Sequence, residues 1–99
     1  MWYVIRGYDR AGTLRTRREA RPAHLARLVE MRDAGRLLTA GPLPAIDSPE
    51  PGPAGFRGSL LILDFESQAA AEGWAALDPY VTAGVFERVE VLPFLQVLP

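Results

Sequence analysis

Hydrophobic and polar positions divide the chain into six segments. Residues 2–8 (Trp-Tyr-Val-Ile-Arg-Gly-Tyr) are rich in β-branched and aromatic side chains and are bounded by Asp9-Arg10-Ala11-Gly12, which predicts a first strand. From 20 to 34 the spacing becomes helical, with Leu25, Leu28, Val29 and Met31 on one broad face. Pro22 then belongs in that helix's first turn, where a missing N–H costs nothing, and Gly35 supplies a left-handed stop. Residues 36–41 predict a second strand, and residues 58–66 a third that is apolar enough to be central. Ser67 suits the N-cap of a second helix, Gln68 to Leu77, anchored by Trp74. Residues 85–93 alternate: Val85, Glu87, Val89 and Val91 share one face of a fourth strand, and Phe86, Arg88, Glu90 and Leu92 the other. Phe94 to Pro99 form a short apolar tail. Between the halves, residues 42–58 hold five of the nine prolines and, with Gly41, four of the nine glycines, the composition of a long loop.

The order β-α-β-loop-β-α-β is the split βαβ arrangement, an α+β ferredoxin-like fold with a four-stranded antiparallel sheet. Two helices cover one face of such a sheet. Apolar residues on both faces of the third and fourth strands predict that the other face is covered as well, most simply by a second copy packed sheet to sheet. A homodimer is therefore expected.

Composition narrows the chemistry. Ninety-nine residues and 10.9 kDa make one domain, 1–99, with an expected radius of gyration of about 13 Å. With no cysteine, disulfide scaffolds, Cys-ligated zinc and thiol nucleophiles are excluded, and one histidine excludes a multi-histidine metal site within the chain. All eleven basic residues are arginine, so lysine chemistry is excluded too. Arg15, Arg17 and Arg18, with Arg21 as a fourth, cluster at the start of the first helix and are expected to form a solvated approach to it. The net charge of −1 does not suit a nucleic-acid partner. No signal peptide and no apolar run approaching ~20 residues is visible, so a cytoplasmic protein without membrane contact is expected. Dinucleotide, P-loop and α/β-hydrolase motifs are absent.

His24 is then the one side chain with an unperturbed pKa near neutrality. Its spacing to Leu28 and Met31 turns it toward the sheet, where it is either a satisfied core histidine or a general acid or base lining a cleft. Two carboxylates are candidate partners. Asp78, in Asp78-Pro79-Tyr80, fits an N-cap with proline at the first helical position of a short turn through Gly84; it could also orient His24, and one carboxylate has acceptor sites for both roles. Asp47, in the proline-rich loop, is the alternative, with an Asx-turn as its ordinary explanation. The Gly41-Pro42 bend permits close backbone approach or a positive φ. Arg57, within Gly55-Phe56-Arg57-Gly58-Ser59, could hold an anion, and Tyr80 could donate a hydrogen bond.

Arg21-Pro22-Ala23-His24-Leu25-Ala26-Arg27-Leu28, then Gly35-Arg36-Leu37-Leu38-Thr39-Ala40-Gly41-Pro42, resemble the YciI family of YCII-related domains. So do Ala54-Gly55-Phe56, Gly58-Ser59, Asp78-Pro79-Tyr80-Val81, Ala83-Gly84-Val85 and Val91-Leu92-Pro93-Phe94, in order along nearly the whole chain. The resemblance implies a ferredoxin-like fold of the dimeric α+β barrel group and a His–Asp site, with His24 matching the histidine. It also implies proton-transfer chemistry of a dehydrochlorinase or isomerase kind, since a dehydrochlorinase of chlorinated aromatics is a relative and the fold group includes muconolactone isomerase. The expected site is His24 with Asp78, and Gly41, Pro42, Ser59, Tyr80 and Asp47 around a small cyclic or aromatic ligand. No metal and no cofactor is expected. The alternative is a non-catalytic ligand-binding or accessory dimeric module.

Overall fold

In the computed structural model, which describes residues 1–99, the elements run β1 (Trp2–Asp9), α1 (Leu14–Asp33), β2 (Leu37–Pro44), a 3₁₀ turn at Gly52–Ala54, β3 (Phe56–Asp64), α2 (Gln68–Ala76), α3 (Pro79–Thr82) and β4 (Phe86–Phe94). The strands form one antiparallel sheet in the order β2-β3-β1-β4, a ferredoxin-like α+β arrangement with β3 central as its apolar sequence requires. The radius of gyration is 13.3 Å.

Strand alternation sets the two faces. Tyr3 and Ile5 of β1 pair with Leu63 and Leu61 of β3, and all four are buried beneath Leu28 and Met31 of α1 and Ala71 and Ala75 of α2. Each large apolar side chain buried this way contributes roughly 1.5–3 kcal/mol. The opposite face carries Trp2, Val4, Arg6 and Tyr8, which cross-strand pairing sets beside Asp64, Ile62, Leu60 and Gly58. No helix covers it.

Helix termini follow the sequence. Gly35, just past α1, has φ +73°, and Ser67 caps α2 by accepting the Ala70 N–H at 3.1 Å. The start of α1 does not follow the expectation. The helix begins at Leu14, six residues before position 20, so Pro22 lies inside it and not in its first turn. The first two turns read as polar because the residue they bury is an arginine, Arg17. The solvated approach expected for Arg15–Arg18 therefore holds for Arg15 and Arg18 but not for Arg17.

Two further boundaries move, and one strand slips its register. β2 continues through Pro42 and Pro44, into the expected loop; as an edge strand it tolerates residues without an N–H, and its register shifts at Pro44. β3 spans 56–64, not 58–66, so Arg57 lies on a strand, exposed, donating to the Ala45 carbonyl. In β4 the register slips between Tyr8 and Asp9, leaving Glu87 as the extra residue of a bulge. The bulge turns Phe86 to the helix side, where it packs with Tyr80, Val85 and Val89, instead of sharing a face with Arg88. Its ring occupies the space a Cβ would take at Gly7, and a Cβ at Gly58 would strike the Gly7 carbonyl oxygen. Both glycines are required by close approach.

Candidate functional site

α1 carries Arg17, Arg21, His24, Leu28 and Met31 along one stripe, at spacings of four, three, four and three residues, that faces the sheet and α3. Asp78 ends the turn after α2 and caps α3: its Oδ1 accepts the Tyr80 N–H at 2.8 Å, and Pro79 takes the first helical position. The same carboxylate meets His24. Nδ1 of the imidazole lies 2.9 Å from Oδ1 and 3.0 Å from Oδ2, with His24 5% and Asp78 3% exposed. The two roles that the sequence left open for Asp78 coexist on one side chain.

With Nδ1–H donated to Asp78, the neutral imidazole holds its lone pair on Nε2, which has no protein partner. The Tyr80 ring stacks on the imidazole, centroids 3.9 Å apart and planes 17° from parallel. Phe86 meets Tyr80 edge-on from behind, at 5.4 Å. Burial pushes the Tyr80 phenol above its ordinary pKa, against the opposing pull of the Arg17 and Arg21 guanidiniums, so it remains an O–H donor through neutral pH.

Arg17 forms the floor of the site. Its Nε and Nη2 engage both Asp9 oxygens at 2.8 and 3.0 Å, Nη2 also donates to Ser59 Oγ at 2.9 Å, and the guanidinium lies 4.5 Å over the Tyr80 ring centroid. Ser59 is 2% exposed and accepts from Arg17, which leaves its own hydroxyl proton free to be donated. Behind the pair, Arg27 ties α1 to α2, donating to the Trp74 carbonyl at 2.7 Å and stacking 4.1 Å over the indole. Burial lowers the Arg27 pKa, and the nearby Asp78 carboxylate opposes that shift.

His24, Tyr80, Ser59, Arg17 and Arg21 open onto a single cleft of about 120 Å³ between α1 and β2. Its β2 wall is Ala40, Gly41 and Pro42, and Leu25 and Leu28 supply apolar surface. The volume is comparable with the ~150 Å³ cavity that accommodates one benzene ring. Gly41 lines it with ordinary strand backbone; its φ is not positive, so the left-handed option raised by the sequence is not used. Of the seven expected site residues, six meet here. The exception is Asp47, exposed in the loop after β2 and bonded to neither His24 nor the cleft wall. Sequence reasoning missed Arg17 and its partner Asp9. Arg17 stands seven residues before His24, two helical turns, and would have been found by extending the inward stripe upstream.

The model of the YCII-related domain matches residues 1–95. The chain belongs to the YCII-related family. Protein YciI from Escherichia coli O6:H1 is 59% identical over 97 residues, covering 98% of this chain and 99% of the relative, and an uncharacterized protein from Haemophilus influenzae is 53% identical over the same length. Among solved structures, this YCII-related chain is similar to 5-chloro-2-hydroxyhydroquinone dehydrochlorinase (TftG) from Burkholderia phenoliruptrix AC1100 in complex with 2,5-dihydroxybenzoquinone. The TM-score is 0.83 at 27% identity, over 96% of this chain and 94% of that one. No helix of this YCII-related chain is long and apolar enough to cross a membrane.

Proposed function

We propose that this chain is a small-molecule enzyme that moves a proton with His24, paired to Asp78, in a reaction of the dehydrochlorinase or isomerase kind on a small cyclic or aromatic substrate. The observation that carries this is the buried His24–Asp78 pair opening, through the free Nε2, onto a ring-sized cleft. Asp78 fixes the tautomer and balances the imidazolium that forms when Nε2 takes a proton. In an elimination, the electron pair released by that proton transfer forms the new π bond, and chloride leaves with the carbon–chlorine pair; the net loss is HCl. In an isomerisation, the same imidazolium returns the proton at another atom. Tyr80 and Ser59 supply hydrogen-bond donors for a ring oxygen, while the β2 backbone at Gly41 and Pro42 bounds the ring. Asp47 has no part in this.

The similarity to TftG supports choosing 5-chloro-2-hydroxyhydroquinone as the first compound to test. Chloride release above the uncatalysed rate is the expected result; no release, together with no hydrogen exchange into 2,5-dihydroxybenzoquinone or related enolisable rings, overturns the reading.

We further propose that the chain acts as one unit, 1–99, within a homodimer built by apposing the two helix-free sheet faces, the dimeric α+β barrel arrangement. Support comes from the surface that face presents: Val4, Leu60, Ile62 and Leu92 form an apolar half. Beside them Tyr8, bonded to Glu90 and flanked by Arg6 and Arg88 at 4.0 and 3.9 Å from its ring centroid, forms a polar half. A twofold axis brings such a self-complementary patch against itself. Sedimentation at micromolar concentration is expected to give about twice the chain mass, and a monomer would exclude the arrangement.

A further inference from the structure

We propose that the cleft selects ring-sized substrates bearing an anionic oxygen, and that Arg21 is the residue that makes the selection. The assignment rests on the cleft being a ligand site, as proposed above, and goes further by naming the charge of what enters and the group that reads it.

Arg21 lies four residues after Arg17 and three before His24, on the stripe of α1 that faces the cleft, and it lines the cleft. Of the arginines around it, Arg18 is also unpaired but does not line the cleft, and the other two have partners. Arg17 is held by Asp9, and Arg15 pairs with Glu19 on the outer surface. Arg21 is exposed and engages in no ion pair and no hydrogen bond. Neither carboxylate of the site is available to it, because both oxygens of Asp9 are taken by Nε and Nη2 of Arg17, and Asp78 by His24 and the Tyr80 N–H. The mouth of the cleft thus has a cation without a counter-charge.

A second, separate feature converges on the same space. Tyr80 is 2% exposed, lines the cleft, and keeps its proton, so beside the Arg21 charge stands a neutral phenol donor. An oxygen anion between them receives a guanidinium and an O–H, and charge-assisted bonds of that kind are roughly twice as strong as neutral ones. A carboxylate, phenolate or enolate oxygen fits; an ammonium does not. The apolar contribution of Leu25 and Leu28 leaves the rest of the ring in a hydrocarbon setting. The same charge also favours the enolate-like anion formed when Nε2 removes a proton from a neutral ring, so Arg21 acts on both the arriving and the reacting species.

The test compares two ring probes of equal size, benzoate and benzamide, by titration calorimetry on the full chain at low ionic strength, where an exposed charge is least screened. Benzoate is expected to bind about tenfold more tightly than benzamide or better. Arg21→Gln is expected to erase that preference, while Arg18→Gln, an exposed and unpaired arginine outside the cleft lining, retains it. Equal affinities in the parent chain, persistence of the preference in Arg21→Gln, or binding of neither probe would each overturn the assignment. The two proposals fail separately. A benzoate preference lost in Arg21→Gln, with no chloride release or hydrogen exchange, leaves Arg21 standing and removes the proton-transfer reading; turnover without the preference does the reverse.

Discussion

Asp78→Asn is expected to fold and to lose turnover by up to about 10⁴-fold, the loss seen when a carboxylate that orients a catalytic histidine becomes an amide. Asparagine is as good an N-cap as aspartate, so its carbonyl continues to accept the Tyr80 N–H and α3 is retained. The negative charge is lost. An amide facing Nδ1 no longer stabilises an imidazolium, and its NH₂ can favour the tautomer that places the proton on Nε2, where the lone pair is needed. His24→Gln is expected to lose at least as much. Because the two side chains act as one unit, the double variant is expected to lose little more than the worse single one. The measurement is kcat at saturating substrate, with far-ultraviolet circular dichroism to verify the fold. Wild-type kcat in Asp78→Asn would reduce Asp78 to a helix cap. Asp78→Ala separates the roles from the other side, since it adds the loss of the cap, about 1 kcal/mol.

Asp9→Ala is expected to lower folding stability by about 3–5 kcal/mol, the cost of leaving a buried charge without its partner. The Arg17 and Asp9 side chains are 5% and 7% exposed, and Asp9 accepts from both Nε and Nη2 of the guanidinium. Without Asp9 that cation lies under Tyr80, Phe56 and Phe86, with one serine hydroxyl as its remaining bonded partner. Cation–π contact offsets part of the loss, of order 1–2 kcal/mol, and does not replace a carboxylate. Domains of this size have stabilities of about 5–15 kcal/mol, so the change is visible as a large fall in the urea midpoint. Replacing both members, Asp9→Ala with Arg17→Met, is expected to recover most of the stability, because an apolar pair of similar volume carries no desolvation penalty. A fall of less than 1 kcal/mol in the single variant would mean that water reaches Arg17.

Legibility of the fold tracked how each residue's burial is encoded. The two central strands and α2 were visible because their buried positions are apolar and periodic, as in Leu61 and Leu63 or Ala71 and Ala75. His24 could be placed inward because Leu28 and Met31 mark the same stripe one and two turns later. The upstream turns of α1 were hidden because the stripe there is filled by Arg17, which is inside only because Asp9 neutralises it, and a single sequence does not display that pairing. β2 was cut short for a related reason. Pro42 and Pro44 read as loop, yet on an edge strand they sit at positions where a missing N–H is harmless. The Asp78 cap was explicit in Asp-Pro-Tyr, whereas its contact with His24, 54 residues away, needed the packing of α1 on α3.

The bulge at Glu87 has a consequence for how this site can diverge. By rotating Phe86 out of strict alternation, it lets one strand serve two separate apolar clusters: Val91 belongs to the packing under α2, while Phe86 joins Val85 and Tyr80 behind the imidazole, with Val89 between them. Substitutions in the second cluster can therefore remodel the aromatic wall of the cleft while the main core stays as it is. One irregular residue partitions the molecule into a fixed chassis and a replaceable lining, a division that lets a chain of this size change what it accepts without first having to find a new way to fold.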